Sequence, residues 1–117
     1  MMYRIAERVA SGKCNALVTG DNIGQVASQT LDNMVVITKA VKIPILRPLL
    51  CFDKTETTKL AEEIETFQFS KFHKCCGMTP MKPRTKARLY EVLNAEKSLD
   101  IKKMVRNAIK NKKTMRL

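Results

Sequence analysis

The residues best suited to chemistry form one block, in which a short apolar run is followed by a glycine, an acid and two glutamines. The block reads Ala16-Leu-Val-Thr-Gly-Asp-Asn-Ile-Gly-Gln-Val-Ala-Ser-Gln-Thr30. It predicts a buried strand, a sharp turn at Gly20-Asp21-Asn22 and a helix from about Gly24. In open α/β sheets, ligands bind just beyond the carboxyl end of a strand, and the following helix offers unpaired N–H groups to an anion. The pattern therefore favours a nucleotide site.

Thiols are the other candidate chemical groups, at Cys14, Cys51, Cys75 and Cys76. Adjacent cysteines seldom form a structural disulfide, and a cytosol keeps thiols reduced. We therefore expect catalytic, metal-binding or simply buried thiols. Cys14 and Cys51 flank the predicted strands, which favours packing roles for both.

Composition indicates a single domain that is strongly basic. The chain has 117 residues and a net charge of +11. Such a charge favours phosphates or nucleic acid as partners, and a merely solvated surface is an equally good reading. The run from Lys102 to Leu117 carries basic residues and no acid. Its basic face either contacts RNA phosphates or is solvated, the second being the commoner case.

No apolar run approaches the ~18 residues that cross a membrane. Charged residues at Arg4, Glu7 and Arg8 interrupt the place where a signal peptide would be apolar. These features predict a cytoplasmic protein without a membrane partner.

Periodicity and breakers predict alternating helices and strands. The predicted helices cover Met2 to about Ser11, about Gly24 to Lys39, Asp53 to about Glu65, Lys86 to about Glu96, and a last segment from about Leu99. Gly12 should end the first helix. Asp53 and Glu56 should form a capping box on the third, and Thr85 should cap the fourth. The predicted strands are Ala16 to Thr19 and Ile43 to Leu50, both buried on two faces. Gln68 to His73 is either an edge strand or an extended loop, and Cys75 to Pro83 is a loop.

This order predicts an α/β fold, a partial doubly wound, Rossmann-like parallel sheet flanked by helices with a basic helical tail. One face of the last helix should pack, because its apolar residues lie at helical spacing: Ile101, Met104, Val105 and Ile109. Two strands alone leave sheet edges and faces without neighbours. We therefore expect further structure, from a preceding segment or from another chain.

Several motifs, in order along the chain, resemble the tRNA 4-thiouridine synthetases, sulfurtransferases also tied to thiamine thiazole synthesis. They are Met1-Met-Tyr-Arg-Ile-Ala-Glu-Arg-Val-Ala10, the block from Ala16 to Asn33, Ile45-Leu-Arg-Pro-Leu-Leu50, Asp53-Lys54 and Cys75-Cys76. The resemblance implies that residues 1–97 are the carboxyl-terminal half of a PP-loop adenylating domain of the adenine nucleotide α-hydrolase type. Residues 98–117 would then form a basic tail.

In that family ATP adenylates a tRNA uridine, and a sulfur donor then displaces AMP. The resemblance implies ATP with Mg²⁺, tRNA and a persulfide protein or sulfide as partners. It gives Gly20 and Gln29 as nucleotide contacts, where glycine permits close approach and glutamine both donates and accepts. Asp21 and Gln25 in the same block complete this candidate set.

Cys76 stands where the family carries its sulfur-handling cysteine, with Cys75 beside it. The thiolate is the competent form for attack on a persulfide or for carrying sulfur. Some family members are thought to hold an iron–sulfur cluster, which makes Cys76 a possible ligand. His73, the one histidine, either is a surface residue or tunes the neighbouring thiols.

Basic residues near the expected site are candidates for phosphate or the tRNA backbone: Arg47, Lys54, Lys82 and Lys86. Arg47 could equally pair with Asp53. The PP-loop motif Ser-Gly-Gly-x-Asp-Ser, whose backbone N–H groups hold pyrophosphate, does not occur in these 117 residues.

Two functions follow from this departure. The chain is either part of a tRNA sulfurtransferase, completed by a PP-loop-bearing chain, or a non-catalytic nucleotide- or RNA-binding module that pairs with a second copy of itself. A weaker third reading is a sulfur carrier that uses Cys75 and Cys76.

Overall fold

The computed structural model describes residues 1–70 and 82–114. Within these ranges the chain forms helices around a small parallel sheet, which confirms the predicted α/β class. The elements are α1 Met2–Ala10, β1 Leu17–Val18, α2 Leu31–Thr38, β2 Ile45–Leu46, α3 Lys54–Glu63, α4 Phe67–Ser70, α5 Leu89–Glu96 and α6 Ile101–Lys110.

The sheet pairs β1 with β2 in parallel, with Leu17 opposite Ile45 and Val18 opposite Leu46. Both strands are shorter than predicted, and the expectation that they are buried on two faces is wrong. Val18 is 71% exposed and Leu46 is 54% exposed. The predicted strand to Leu50 stops early because the chain turns, with the Leu50 N–H donating to the Arg47 carbonyl at 3.2 Å.

The segment between β1 and α2 is not the predicted helix. Residues 20–30 form an irregular loop, and α2 begins only at Leu31, where the Thr30 hydroxyl accepts the Asn33 N–H at 3.3 Å. Gly24 adopts φ +81°, a conformation that glycine reaches without strain. The Gly24 N–H donates to the Gln29 carbonyl at 2.9 Å and closes the loop on itself.

Local capping signals predict two of the remaining features correctly. Asp53 and Glu56 form the expected capping box, each side chain accepting the other's backbone N–H at 2.7 Å. Gly12 adopts φ +73° directly after α1, in a turn where the Lys13 N–H donates to the Ala10 carbonyl at 2.9 Å. α1 therefore ends where the glycine indicated.

Three local predictions are wrong. Residues 67–70 are a short helix rather than a strand or an extended loop, and 71–73 lie outside the described residues. α5 begins after Arg88 and has no side-chain cap. Thr85 does not cap it, because it lies three residues before the N-cap Arg88. The Thr85 backbone carbonyl accepts the Thr30 hydroxyl at 2.6 Å, across the molecule.

Long-range contacts join the helices to one another. α6 packs against α1, as its apolar spacing predicted, and its first turn is capped by Asp100. Arg4 of α1 forms a two-pronged ion pair with Glu96 of α5 at 2.5 and 2.8 Å. Glu7 accepts the backbone N–H groups of Lys42 and Ile43 just before β2. Along the described chain, no helix has the length and apolar character needed to span a membrane.

Candidate nucleotide site

A cavity of about 710 Å³ lies between α1, the 20–30 loop, α2 and α5. Its size falls within the range of small-molecule sites, ~300–1,000 Å³. Most of the lining is aliphatic, including Met1, Met34, Val36, Leu89 and Val92. Polar side chains reach it from the loop side, and among them are Asp21 and Gln29.

Asp21 is the centre of a hydrogen-bond network at the carboxyl end of β1. Its Oδ2 accepts the Tyr3 hydroxyl, the Thr19 hydroxyl at 2.8 Å and the Arg47 Nε–H at 3.0 Å. Arg47 also donates to the Thr38 hydroxyl at 2.9 Å, and its guanidinium lies 5.9 Å from the centre of the Tyr3 ring. The network ties α1, α2 and both strand ends to one carboxylate.

The network sets the protonation states of its members. Burial alone would raise the pKa of Asp21, but the hydrogen bonds from Tyr3, Thr19 and Arg47, with the Arg47 charge, lower that pKa below its ordinary value. Burial and the hydrogen bond to Asp21 raise the pKa of Tyr3. At neutral pH the site therefore presents an ionised carboxylate and a neutral phenol.

Gln29 presents a buried polar atom that has no partner in the described part of the chain. Its Oε1 is buried and has no hydrogen-bond donor within the described residues, while its backbone N–H and carbonyl close the loop. A buried acceptor without a donor is costly, about 1–3 kcal/mol. A ligand N–H in the cavity would satisfy it.

The other two candidate nucleotide contacts in the loop, Gly20 and Gln25, are exposed. Gly20 is exposed, does not adopt a positive φ, and would meet no heavy atom within 4 Å if it carried a Cβ. The protein's own packing thus does not require glycine there, and the positive φ that favours glycine falls at Gly24 instead. Gln25 is exposed and is not among the residues that line the cavity.

The basic candidates divide into one paired residue and three exposed ones. Arg47 forms its ion pair with Asp21, so the alternative pairing with Asp53 is wrong. Asp53 is instead engaged in the capping box, where its side chain accepts the Glu56 N–H. Lys54, Lys82 and Lys86 are exposed, and within residues 1–70 and 82–114 none of them has a carboxylate within 4.0 Å.

Of the four cysteines, two are exposed in the structure and two lie outside the described residues. Cys14 and Cys51 are exposed free thiols, so the packing roles expected for them are wrong. Cys75, Cys76 and His73 lie outside the described residues. Across the described part of the chain, no group of three His, Cys, Asp or Glu side chains could hold a metal ion.

Asn33 is a positioning residue that sequence reasoning missed. Its Nδ2 donates to the carbonyls of Ser28 and Arg84 at 2.8 and 2.7 Å, and its Oδ1 accepts the Ala87 N–H at 2.8 Å. One amide thus joins the 20–30 loop to the segment before α5. The only local signal is an asparagine three residues after the Thr30 cap.

We expect Asn33→Ala to destabilise the fold by about 1 kcal/mol, since it removes these bonds while alanine favours the helix. Amide hydrogen exchange in residues 20–30 should accelerate, because the loop loses its tie to residues 84–87. Asn94→Ala, at an exposed position of α5, is the matched control. Equal exchange rates in the two variants would contradict the role of Asn33.

Comparison with known proteins identifies this arrangement. The family model described as thiamine biosynthesis protein (ThiI) matches residues 1–101. A probable tRNA sulfurtransferase of Coxiella burnetii is 43% identical over 119 residues, covering 99% of this chain and 30% of that protein. The corresponding protein of Finegoldia magna is 45% identical over 120 residues, covering 99% and 31%.

A crystal structure of a 4-thiouridine synthetase–RNA complex with bound ATP superposes with a TM-score of 0.88. It is 37% identical, and the match covers 96% of this chain and 30% of that one. The fold is thus an α/β domain similar to part of that synthetase. The chain belongs to the ThiI family, which includes the tRNA sulfurtransferases. It spans about a third of the length of the curated relatives that it matches.

Proposed function

We propose that this chain supplies the adenosine-binding half of the nucleotide site in an ATP-dependent tRNA sulfurtransferase. In the proposed reaction a tRNA uridine is adenylated, and sulfur then replaces AMP to give 4-thiouridine. The observation that carries the proposal is the buried Gln29 Oε1, an acceptor without a donor at the wall of a cavity of about 710 Å³. The similar 4-thiouridine synthetase, which has ATP bound, supports it.

The charge of the site indicates which part of ATP it suits. Asp21 stays ionised and can accept from a ribose hydroxyl or an exocyclic amine, donors that a phosphate does not offer. The lining also holds the cations Arg4, which is paired with Glu96, and Lys39. The aliphatic lining suits the faces of a purine ring. The base and ribose therefore fit this cavity, with Gln29 and Asp21 as polar contacts and Gly20 and Gln25 along the exposed loop.

Phosphates and Mg²⁺ would be held elsewhere in the site. Asp21 Oδ2 already accepts three donors, so this oxygen does not suit a cation. Mg²⁺ usually binds substrate phosphates together with one or two carboxylates. In the proposal both belong to the segment that carries the PP-loop, either in the same polypeptide or in a partner. The described residues do not fit an iron–sulfur cluster, and Cys76 remains the candidate thiol for it.

The exposed cations Lys54, Lys82 and Lys86 would contact the tRNA backbone in this proposal, because they are not neutralised by carboxylates in the described part of the chain. The Cys76 thiolate, with Cys75 beside it, would attack the outer sulfur of a persulfide protein and take that sulfur, while the donor leaves as a thiolate. If sulfide is the donor, it would displace AMP from the adenylated uridine directly. Arg47 would act indirectly, since it orients Asp21.

A second candidate function is a nucleotide- or RNA-binding module that pairs with another copy of itself. The exposed Val18 and Leu46 on the sheet favour it, because an apolar sheet face gains stability when covered. Light scattering separates the two functions, since this module requires a stable dimer of the isolated chain. A monomer contradicts it.

A chimera tests the nucleotide site. In it, these 117 residues replace the matching segment of the 4-thiouridine synthetase that was crystallised with ATP. We expect Gln29→Met to weaken ATP binding about tenfold, since one hydrogen bond to a buried acceptor contributes about 1.4 kcal/mol. Isothermal titration measures the affinity. Gln68→Met, on the exposed face of α4, should leave it unchanged. Equal affinities of the Gln29 variant and the parent chimera would contradict the proposal.

A further inference from the structure

Helix α6 is divided into an apolar face and a basic face. At about 100° per residue, its basic side chains fall within an arc of about 100°. We call this surface the α6 basic face: Lys102, Lys103, Arg106 and Lys110. The adjoining arc carries Ile101, Val105 and Ile109, which are half-buried in a helix that packs against α1, whereas Met104, also predicted to pack, is 45% exposed.

The charges of the α6 basic face are exposed and uncompensated. The ion pairs found in residues 1–70 and 82–114 are Arg4–Glu96, Arg47–Asp21 and Arg84–Glu91, and none of them involves α6. The nearest acid in sequence, Asp100, is engaged as the helix cap, where it accepts the Lys103 N–H at 2.9 Å. Among residues 1–70 and 82–114 no carboxylate lies within 4.0 Å of these cations, so the face carries a positive field.

The spacing of these charges matches a nucleic-acid backbone. From Lys102 to Lys110 the helix rises about 12 Å, so the four cations are about 4 Å apart on average along the axis, close to the ~3.4 Å of axis per phosphate of one strand. A membrane surface is a poorer fit, because interfacial helices insert their apolar face and that of α6 is already packed on α1. The basic arc also lacks the apolar anchors that protein interfaces use.

We propose that the α6 basic face binds the phosphate backbone of RNA. That the RNA is tRNA rests on the proposed function. The match to the family model ends at residue 101, and all four residues of the α6 basic face lie beyond that match. It is also separate from the cavity, whose lining includes no residue of α6.

The test compares two triple variants of the full chain that lower its net charge equally. One carries Lys102→Gln, Arg106→Gln and Lys110→Gln, and glutamine keeps the helix propensity of α6. The control carries Lys13→Gln, Lys42→Gln and Lys59→Gln at exposed positions elsewhere. Binding of a transcribed tRNA is measured by fluorescence anisotropy from 0.05 to 0.3 M salt, with thermal unfolding to confirm that both variants fold.

For the α6 variant we expect a salt slope shallower by about 2 and about 100-fold weaker binding at 0.1 M salt, since each single-strand contact adds ~0.7 to the slope. The control should lose far less. Equal losses in the two variants, or no loss in either, would overturn the α6 assignment and leave the nucleotide site standing. Failure of the parent chain to bind tRNA would overturn this use of the face, whereas ATP binding by the chimera tests the proposed function separately. Tighter binding of polyglutamate or of anionic vesicles than of tRNA would assign the face to a protein or a membrane instead.

Discussion

Cys76→Ser is expected to abolish sulfur transfer to tRNA and to leave adenylation intact. A serine hydroxyl is hardly ionised at neutral pH and cannot carry persulfide sulfur, whereas a thiolate attacks a sulfur donor readily. Adenylation uses the nucleotide site and needs no thiol. The two half-reactions should therefore separate in the chimera with the 4-thiouridine synthetase, with 4-thiouridine reduced to background and pyrophosphate exchange unchanged.

Cys75→Ser is the matched control, because it removes the neighbouring thiol with the same change of atoms. We expect it to retain most thiolation, since our proposal assigns sulfur handling to Cys76 and not to Cys75. Thiolation is measured by the absorbance of 4-thiouridine in purified tRNA. Full thiolation by the Cys76 variant would exclude its sulfur-transfer role, and loss of pyrophosphate exchange would indicate a structural defect instead.

Local chemistry explains which parts of the fold could be predicted from the sequence. The capping box at Asp53 and Glu56 involves residues three apart in sequence. The turn at Gly12 depends on that residue alone, because glycine, which has no Cβ, adopts a positive φ easily. Both were predicted correctly because their partners are close in sequence. The parallel pairing of β1 and β2 followed from two apolar runs separated by a helix.

The loop before α2 shows why other parts could not be predicted. The sequence predicted a helix from about Gly24, but the loop combines bonds within itself with bonds to distant segments. The Ile23 N–H donates to the Leu50 carbonyl at 3.0 Å, and the Thr30 hydroxyl donates to the Thr85 carbonyl at 2.6 Å. Such tertiary contacts outweigh a weak helix propensity.

The candidate site shows the same division. The sequence indicated Asp21 and Gln29 from the block itself, and both line the cavity. It could not pair Asp21 with Tyr3 and Arg47, which are 18 and 26 residues away. The pairing decides the role of Arg47, since a guanidinium that is bonded to a carboxylate and a hydroxyl is less available to phosphate.

That pairing makes Asp21→Asn the substitution with the largest expected effect on stability. The Arg47 side chain is only 13% exposed and Asp21 is 23% exposed, so solvent screens their attraction weakly. Asparagine keeps the size of Asp21 but replaces the charged carboxylate, which accepts hydrogen bonds from Tyr3, Thr19 and Arg47, with a neutral amide. Hydrogen bonds to charged groups contribute about 1.5–3 kcal/mol, and we expect the free energy of unfolding to fall by about 2 kcal/mol. Urea denaturation followed by circular dichroism measures it.

The pH dependence gives this prediction a second measurement. The pKa of Asp21 is lower in the folded state, so its contribution is present above the unfolded value of ~3.9 and is lost as the pH falls through the folded value. The pKa of Tyr3 is raised, so its contribution is present below ~10 and is lost as the pH rises through the folded value. Stability should therefore decline at both ends of the range, and Asp21→Asn should flatten the acid side.

Two further variants separate the network from a general loss of charge. Asp32→Asn removes an exposed acid from the first turn of α2 and should cost only a few tenths of a kcal/mol, at the low end of helix-dipole effects. Arg47→Met leaves Asp21 without its cation and should also destabilise the fold. The double variant Asp21→Asn with Arg47→Met should lose less free energy of unfolding than the sum of the two single losses. The reason is that it removes both members of the ion pair and leaves no unpaired charge behind. Strict additivity, or an Asp21 variant no less stable than the Asp32 variant, would show that the carboxylate does not organise this end of the sheet.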